Sequence, residues 1–204
     1  MDTPSRPTKR LNAEDRKRQI LAQASKLIGQ HGFKSVSIRD IARAAQVNEA
    51  LIYRHFSSKD DLLRAIVVNV VKNQPVQITQ PCKSLENFHE QLSNFANFYL
   101  RVNLADPSFI RTLFYAAMED YPLPTEFKLN IQDTFLYWLR SSIEKGQVEW
   151  GFDPALDPMV AISSFMGGLI FIVLQISVLK QIPPVDPDTY AQSFIHSFFA
   201  LLKG

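Results

Sequence analysis

The segment spanning residues 37–59, SIRDIARAAQVNEALIYRHFSSK, holds two short helical patterns separated by a turn. In its first half the apolar residues recur at spacings of three and four, and Ser37 with Asp40 three residues later forms a capping-box start. In its second half Asn48 can cap a helix that buries Ile52 and Phe56. The outward residues of that helix are Glu49, Tyr53, Arg54 and His55. A helix-turn-helix places its second helix in the DNA major groove, so this segment predicts sequence-specific DNA binding.

Charges are divided unevenly along the chain. Residues 1–59 hold 12 Lys and Arg against 5 Asp and Glu, whereas residues 60–204 hold 10 against 15, although the whole chain carries a net charge of only +2. A basic segment of this kind neutralises DNA phosphates, and an acidic body does not. The division predicts a DNA-binding head beside a body with another role, and uneven solvated faces are the alternative interpretation.

Hydrophobic spacing predicts an all-α chain of about nine helices. Residues 1–11 are basic and almost free of apolar side chains, which predicts a disordered arm, either a solubilising tail or a minor-groove contact. Residues 12–57 are expected to form a three-helix helix-turn-helix domain and residues 58–73 a connecting helix. The larger domain, residues 74–204, is expected to contain five more helices: 84–104, 106–119, 125–146, one from Pro158 to about Leu179, and one through Tyr190 to Leu202.

The segment 160–179 contains no charged residue over 20 positions. That length can span a bilayer, but serines and glycines interrupt the run and no basic cluster flanks it. A helix that is apolar on nearly all sides must otherwise be buried on nearly all sides. We therefore expect no membrane contact, and a homodimer in which the last two helices of each protomer form a four-helix bundle. The predicted interface residues are Phe165, Ile172, Ile176, Phe194, Phe198 and Leu201.

Residue types that support catalysis or metal binding lack the necessary spacing. The single cysteine, Cys82, rules out an internal disulfide framework, and the four histidines show no metal-binding spacing such as H-E-x-x-H. No nucleophile motif or phosphate loop is visible. The sequence therefore predicts a protein that is not an enzyme, with no catalytic residue, metal or cofactor. Because the N-terminus lacks an apolar leader, a cytoplasmic location is expected.

Residues 12–72 resemble the TetR family of bacterial transcription regulators. The family pattern runs from a glycine–hydrophobic pair through T/S-x-x-x-I-A-x-x-A-G-V-S to L/I-Y-x-H/Y-F-x-x-K-x-x-L. The matching residues are Gly32, Phe33, Ser37, Ile41, Ala42, Ala45, Val47, Ile52, Tyr53, His55, Phe56, Lys59 and Leu62. Gln46 departs from the pattern by replacing the turn glycine, at a cost of about 1 kcal/mol if the residue must adopt a positive φ. Asn48 replaces the usual Ser or Thr cap and caps equally well.

The resemblance implies how the head meets DNA. Phosphate or backbone contacts are implied for Ser37, Tyr53, His55 and Lys59. Base-edge contacts are implied for Arg39, Glu49, Ala50 and Leu51, with Asn48 as the cap of the reading helix. Two of these side chains have a structural alternative: Glu49 is also a favourable charge in a first helical turn, and His55 can pack against Phe56.

The resemblance also implies a ligand-binding body whose occupancy tilts the connecting helix and changes the spacing of the two heads. Aromatic residues dense at helical spacing suggest a lipophilic pocket, although such residues also form ordinary cores. The candidate pocket residues are Phe95, Phe98, Tyr99, Phe114, Tyr115, Phe135, Trp138 and Phe165. Glu119 and Asp120 can receive a cationic group or lie on the solvated surface.

A dimeric, ligand-responsive regulator is therefore the expected function of the chain. As a repressor it would bind a palindromic double-stranded DNA operator and be released by a small lipophilic effector. The alternatives are a helical lipophile carrier or adaptor, and a constitutive DNA-binding factor without a ligand.

Overall fold

The computed structural model describes residues 12–72, 82–120 and 135–204, with side chains described up to residue 69 in the first range. Within these ranges the chain forms nine α-helices and no strand, which confirms the predicted fold class. The helices are α1 (Ala13–His31), α2 (Ile38–Ala44), α3 (Glu49–His55), α4 (Lys59–Lys72), α5 (Leu85–Ala105), α6 (Ser108–Met118), α7 (Tyr137–Glu149), α8 (Pro158–Ser177) and α9 (Pro187–Lys203). The predicted N-terminal arm, nearly all of the predicted hinge and the predicted start of the seventh helix lie outside the described residues.

The first four helices form a small head around one apolar core. Helix α1 is capped by Asn12, whose side-chain oxygen accepts the Asp15 N–H at 2.8 Å. Spacings of three and four residues place the apolar side chains of each helix on one face, and those faces meet. The fully buried residues of this core are Ile20, Ala24, Ile28, Ile41, Ala45, Ile52 and Leu62. Helices α2 and α3, only seven residues each, are therefore held by tertiary packing rather than by their own propensity.

Helices α5, α7, α8 and α9 enclose a second core that is rich in aromatic rings. The Phe88 ring lies 5.6 Å from the rings of both Trp138 and Phe199. On α8, the fully buried Phe165 packs against Phe198 with ring centroids 4.9 Å apart. The opposite side of α8 is exposed. Its own chain therefore buries only one side of this helix.

Helix α6 belongs to the body by sequence but packs along α1 of the head. A Cβ atom on Gly29 of α1 would lie 2.8 Å from the Ser108 carbonyl oxygen, so the two helices approach at backbone distance. The buried Thr112 hydroxyl donates to the Ser25 carbonyl oxygen at 3.0 Å, and Ala116 is part of the head core. The head and the body are therefore connected through α6 as well as along the chain.

The predicted end of the seventh helix at Gly146 is wrong, because α7 continues to Glu149. Gly146 serves close packing instead: a Cβ atom there would lie 2.1 Å from the ring of Phe152. The helix stops where Gly151 takes a φ of 72°. Glycine is favourable at a positive φ because it has no Cβ, and this makes Gly151 the terminating residue.

Replacement of Gly32 by alanine is expected to lower the free energy of unfolding by about 2–3 kcal/mol. Gly32 ends α1 with φ 86° and ψ 156°, a region that residues with a Cβ avoid. The new Cβ would also lie 2.8 Å from Oε1 of Glu119. Urea unfolding at fixed protein concentration measures the change.

Gly151→Ala is the matched control, because Gly151 also has a positive φ but no atom lies within 4 Å of the place that its new Cβ would take. We expect it to cost only about 1 kcal/mol. Equal losses of unfolding free energy in the two variants would mean that the clash with Glu119 does not contribute to the destabilisation.

Candidate nucleic-acid interface

Each helix of the helix-turn-helix, α2 and α3, is preceded by a residue whose side chain caps it. The Ser37 Oγ accepts the Asp40 N–H at 3.1 Å, and the Asp40 carboxylate accepts the Ser37 N–H at 3.0 Å, which confirms the predicted capping box. Hydrogen bonds from Ser37 hold the pKa of the Asp40 carboxyl below its ordinary value. Asn48 accepts the Leu51 N–H at 2.8 Å and caps α3. Each cap of this kind stabilises a helix by about 1 kcal/mol.

In the turn between α2 and α3, Gln46 has a φ of 55°. The condition for backbone strain at this position, a positive φ, is therefore met. The Val47 N–H donates to the Ala42 carbonyl oxygen at 2.9 Å, so the turn closes as a hydrogen-bonded helix end despite the missing glycine. Gln19 of α1 donates to the Ala45 carbonyl oxygen at 3.2 Å and holds the turn from the opposite side. The angle of α3 is therefore set by backbone hydrogen bonds and by α1.

Gln46→Gly is expected to raise the free energy of unfolding by about 0.5–1 kcal/mol, because glycine removes the left-handed strain but adds entropy to the unfolded chain. Gln46→Asn should give a smaller gain, since asparagine tolerates this region better than glutamine. Thermal unfolding of the three proteins measures the order Gly, Asn, Gln. A loss of stability in the glycine variant would contradict a strained turn.

Helix α3 presents a polar and aromatic face to solvent above one buried anchor, Ile52. The Tyr53 side chain is 55% exposed, and Glu49, Ala50 and Arg54 are also exposed. Ser37, Arg39 and Asn48 are exposed beside them, whereas Leu51 is half-buried. Most of the predicted base-reading and backbone-contacting residues are thus accessible to solvent. Arg54 is an addition to the predicted set, because its exposed guanidinium stands next to Tyr53 in the last turn of α3.

Two of the predicted contacts are turned partly toward the protein. His55 is half-buried, and its ring centroid lies 6.1 Å from that of Phe56, as the structural alternative anticipated. The Lys59 ammonium lies 4.3 Å from the centroid of the Phe33 ring and donates to the Lys34 carbonyl oxygen at 3.5 Å. Burial lowers the pKa of Lys59, while the nearby carboxylates of Glu119 and Asp60 raise it. These two residues are less available to DNA than Tyr53 and Arg54.

The aromatic residues predicted to line a pocket pack largely against one another. The rings of Phe95 and Phe135 are stacked with centroids 4.1 Å apart, and Phe165 lies 6.2 Å from Phe95. Trp138 is buried, and burial raises the pKa of Tyr99. The remaining members are separate: Phe98 is half-buried, Phe114 is 36% exposed, and Tyr115 lies 3.5 Å from a Cβ position on Gly32, facing the head.

A cavity of about 310 Å³ lies instead between α5 and α9, among different residues. Its walls include Ile195 and Phe199 on the apolar side and His89, Asn97 and His196 on the polar side. The Asn97 side-chain oxygen is buried and has no hydrogen-bond partner among the described residues. Helical periodicity gives no signal for a cavity at these positions.

The six residues predicted for the dimer interface differ in how far their own chain buries them. Phe165, Ile172 and Phe198 are at most 4% exposed and are buried by their own chain, so they offer little surface to a second subunit. Ile176 and Phe194 are half-buried, and Leu201 is 41% exposed. The outward side of α8 instead carries Val160, Ser164, Gly167 and Phe171, at spacings of three and four residues. Of the described helices, α8 is the one long and apolar enough to cross a membrane by length and composition.

Residues 20–66 match the family model described as bacterial regulatory proteins, tetR family. The HTH-type transcriptional regulator HbdR of Aromatoleum sp. (strain CIB) is 34% identical over 89 residues, 44% of this chain, and the match spans only 39% of that relative's length. YhgD of Bacillus subtilis (strain 168), also an HTH-type transcriptional regulator, is 25% identical over 87% of this chain and 91% of its own length.

The fold is similar over nearly the whole chain to that of AibR, solved in complex with isovaleryl coenzyme A and operator DNA. The TM-score is 0.70, with 20% sequence identity and coverage of 92% of this chain and 98% of that one. At this level of identity the likeness shows the fold alone. The sequence relatives are transcriptional regulators rather than enzymes.

Proposed function

Because the chain belongs to the TetR family of helix-turn-helix transcriptional regulators, we propose that it is a cytoplasmic repressor that binds a palindromic operator as a homodimer and is released by a small lipophilic effector. The observation that carries the proposal is the exposed face of α3, a seven-residue helix seated on the buried Ile52 in the basic part of the chain. Packing of α3 on the head uses Ile52 and does not use Tyr53 or Arg54, so these two exposed side chains are available to contact a partner.

On DNA, some residues of this surface contact base edges and others contact phosphates. Exposed Arg39 can donate both guanidinium arms to a guanine, and Glu49 can accept from a cytosine amino group, because both are exposed in the first turns of α2 and α3. Ser37, Tyr53 and Arg54 contact phosphates and set the register of α3. Lys59 adds its charge when it leaves the Phe33 ring. The half-buried Leu51 and the small Ala50 can only offer apolar contact to a thymine methyl group.

A second copy of the chain covers the outward side of α8. Val160 and Phe171 are 54% and 55% exposed there, and the small residues Ser164 and Gly167 between them allow close helix approach. Leu201 on α9 extends this apolar surface. Two copies of α8 and α9 then form a four-helix bundle around a two-fold axis. Two heads about 34–36 Å apart meet successive major grooves on one face of the DNA.

An effector acts by binding better to the protomer arrangement that cannot reach both half-sites. AibR was solved with an acyl coenzyme A and its operator, and this supports an acyl ligand as the first compound class to test. The aromatic cluster around Phe95 and Phe165 is closely packed, so a lipophilic effector must separate these rings to enter. Opening the cluster would displace α8 against α5, which moves the heads.

Selection of bound sequences from random DNA tests the proposal, followed by a screen of fatty acids and acyl coenzyme A compounds for release. We expect an enriched palindrome whose half-sites are separated by about one helical turn. Release by an acyl compound at micromolar concentration supports the effector class. Absence of any enriched sequence would overturn the regulator, and enrichment without release by any compound would leave a constitutive factor as the function.

A further inference from the structure

The C-terminal end of α6 reaches into the head through one carboxylate, that of Glu119. Its Oε2 accepts the backbone N–H of Lys34, in the loop between α1 and α2, at 2.8 Å. Its Oε1 occupies the space that a side chain on Gly32 would need. Of the two groups suggested for Glu119, a cationic effector and the solvent, neither is its partner in this hydrogen bond. The residue is held against the DNA-binding head.

The same loop holds Lys59, the first residue of α4. The Lys59 ammonium lies over the Phe33 ring at 4.3 Å and donates to the Lys34 carbonyl oxygen at 3.5 Å. Its charge interacts favourably with Glu119 and with Asp60. A ring and a carbonyl oxygen of the loop, together with a carboxylate from the body, therefore keep this ammonium beside the protein. A lysine has three donors on a flexible stem, so it can leave that position for a phosphate.

A carboxylate beside a phosphate-binding lysine opposes DNA binding in two ways. It attracts the ammonium that the phosphate would otherwise attract, and it repels the phosphate itself. Both effects are electrostatic and fall off within about 10 Å at ordinary salt, so position decides their size. Glu119 is held close enough to the head for these effects to matter, because α6 is fixed against α1 by the Gly29–Ser108 approach and by the Thr112 hydrogen bond.

We propose that Glu119 is a positioning residue for operator binding, which holds Lys59 and the α1–α2 loop so that the position of α6 decides how much of the Lys59 charge the operator receives. This inference rests on the proposed function. A body conformation that withdraws α6 from the head would free Lys59, and one that presses Glu119 inward would retain it.

Glu119→Gln tests this directly, because the amide oxygen can still accept from the Lys34 N–H while the charge is removed. We expect the dimer to bind its selected operator about tenfold more tightly at low salt, about threefold for each head. The slope of log Kd against log salt should steepen by about 1–2, since each Lys59 gains a phosphate contact. Asp120→Asn is the matched control: Asp120 is exposed, adjacent and equally charged, and asparagine tolerates its φ of 56°.

Lys59→Met separates positioning from a general charge effect, because methionine keeps an apolar stem over Phe33. In the Lys59→Met background, Glu119→Gln should no longer change the slope, and its affinity gain should shrink to the smaller part that comes from direct repulsion of the phosphate. Equal affinity gains in Glu119→Gln and Asp120→Asn, or an undiminished gain in the Lys59→Met background, would overturn the inference while leaving the regulator intact. Failure of the wild-type dimer to bind any selected operator would instead overturn the proposed function. Urea unfolding of each variant confirms that the comparison is between folded proteins.

Discussion

Replacement of Tyr53 by alanine is expected to weaken operator binding by the dimer at least about 100-fold without loosening the protomer. The Tyr53 side chain is 55% exposed on α3, so it contributes little to the head core. A hydrogen bond from its hydroxyl to a phosphate is worth about 1.5 kcal/mol, and the dimer makes that contact twice. The resulting loss of about 3 kcal/mol corresponds to roughly two factors of ten in Kd. Fluorescence anisotropy with the selected operator measures it.

Two further variants locate the effect on the hydroxyl and on this surface. Tyr53→Phe should lose most of the affinity that Tyr53→Ala loses, because it keeps the ring and removes only the donor. Tyr137→Ala on α7, where the side chain is 69% exposed, should bind DNA like the wild type. Operator affinity of Tyr53→Ala within threefold of wild type would exclude this face of α3 as the DNA surface.

Phe171→Arg is expected to convert the dimer to a monomer and to reduce operator affinity by a factor of at least about 100 as a consequence. Phe171 is the largest apolar side chain on the outward side of α8 and is 55% exposed in the protomer. In the proposed bundle two such side chains meet across the two-fold axis, so the variant would bury two unpaired guanidinium groups. A change of this kind at the centre of an interface usually costs several kcal/mol of association free energy. Sedimentation velocity in detergent-free buffer measures the association state.

Tyr137→Arg on α7 is the control for introducing a charge at an exposed aromatic position, since its 69% exposed side chain lies off the α8 surface. It should remain a dimer and bind the operator normally. A Phe171→Arg protein that still sediments as a dimer would move the interface away from α8. A wild-type protein that requires detergent to stay in solution would favour a membrane role for that helix.

The head could be predicted from the sequence because its determinants are local. The Ser37 and Asn48 caps act over three residues, and the apolar spacing of α2 and α3 follows from one helical period. The strained φ at Gln46 could be anticipated as a departure from a glycine position, because backbone sterics alone decide it. What the sequence could not show is the position of the Lys59 side chain, which depends on a ring and a carbonyl 25 or more residues away.

The body was harder to predict because helical periodicity identifies a buried face without identifying its neighbour. Phe165 and Phe198 were expected at a subunit interface, yet they pack on each other within one protomer. For Phe95 and Phe135 the sequence left a pocket and an ordinary core as alternatives, and the two rings are stacked on each other. The packing of α6 on the head depends on Gly29 meeting the backbone of Ser108, which is distant in sequence, and no local pattern encodes such a contact.

The salt dependence of operator binding by the wild-type dimer tests most directly whether the basic head is a DNA reader. With about six phosphate contacts in the dimer, log Kd should change linearly with log salt with a slope near 5 in magnitude, so affinity should fall about a thousandfold between 50 and 200 mM salt. Preference for the selected palindrome over random DNA should persist across that range. A flat salt dependence, or equal binding to every sequence, would contradict a sequence-reading head formed by α2 and α3.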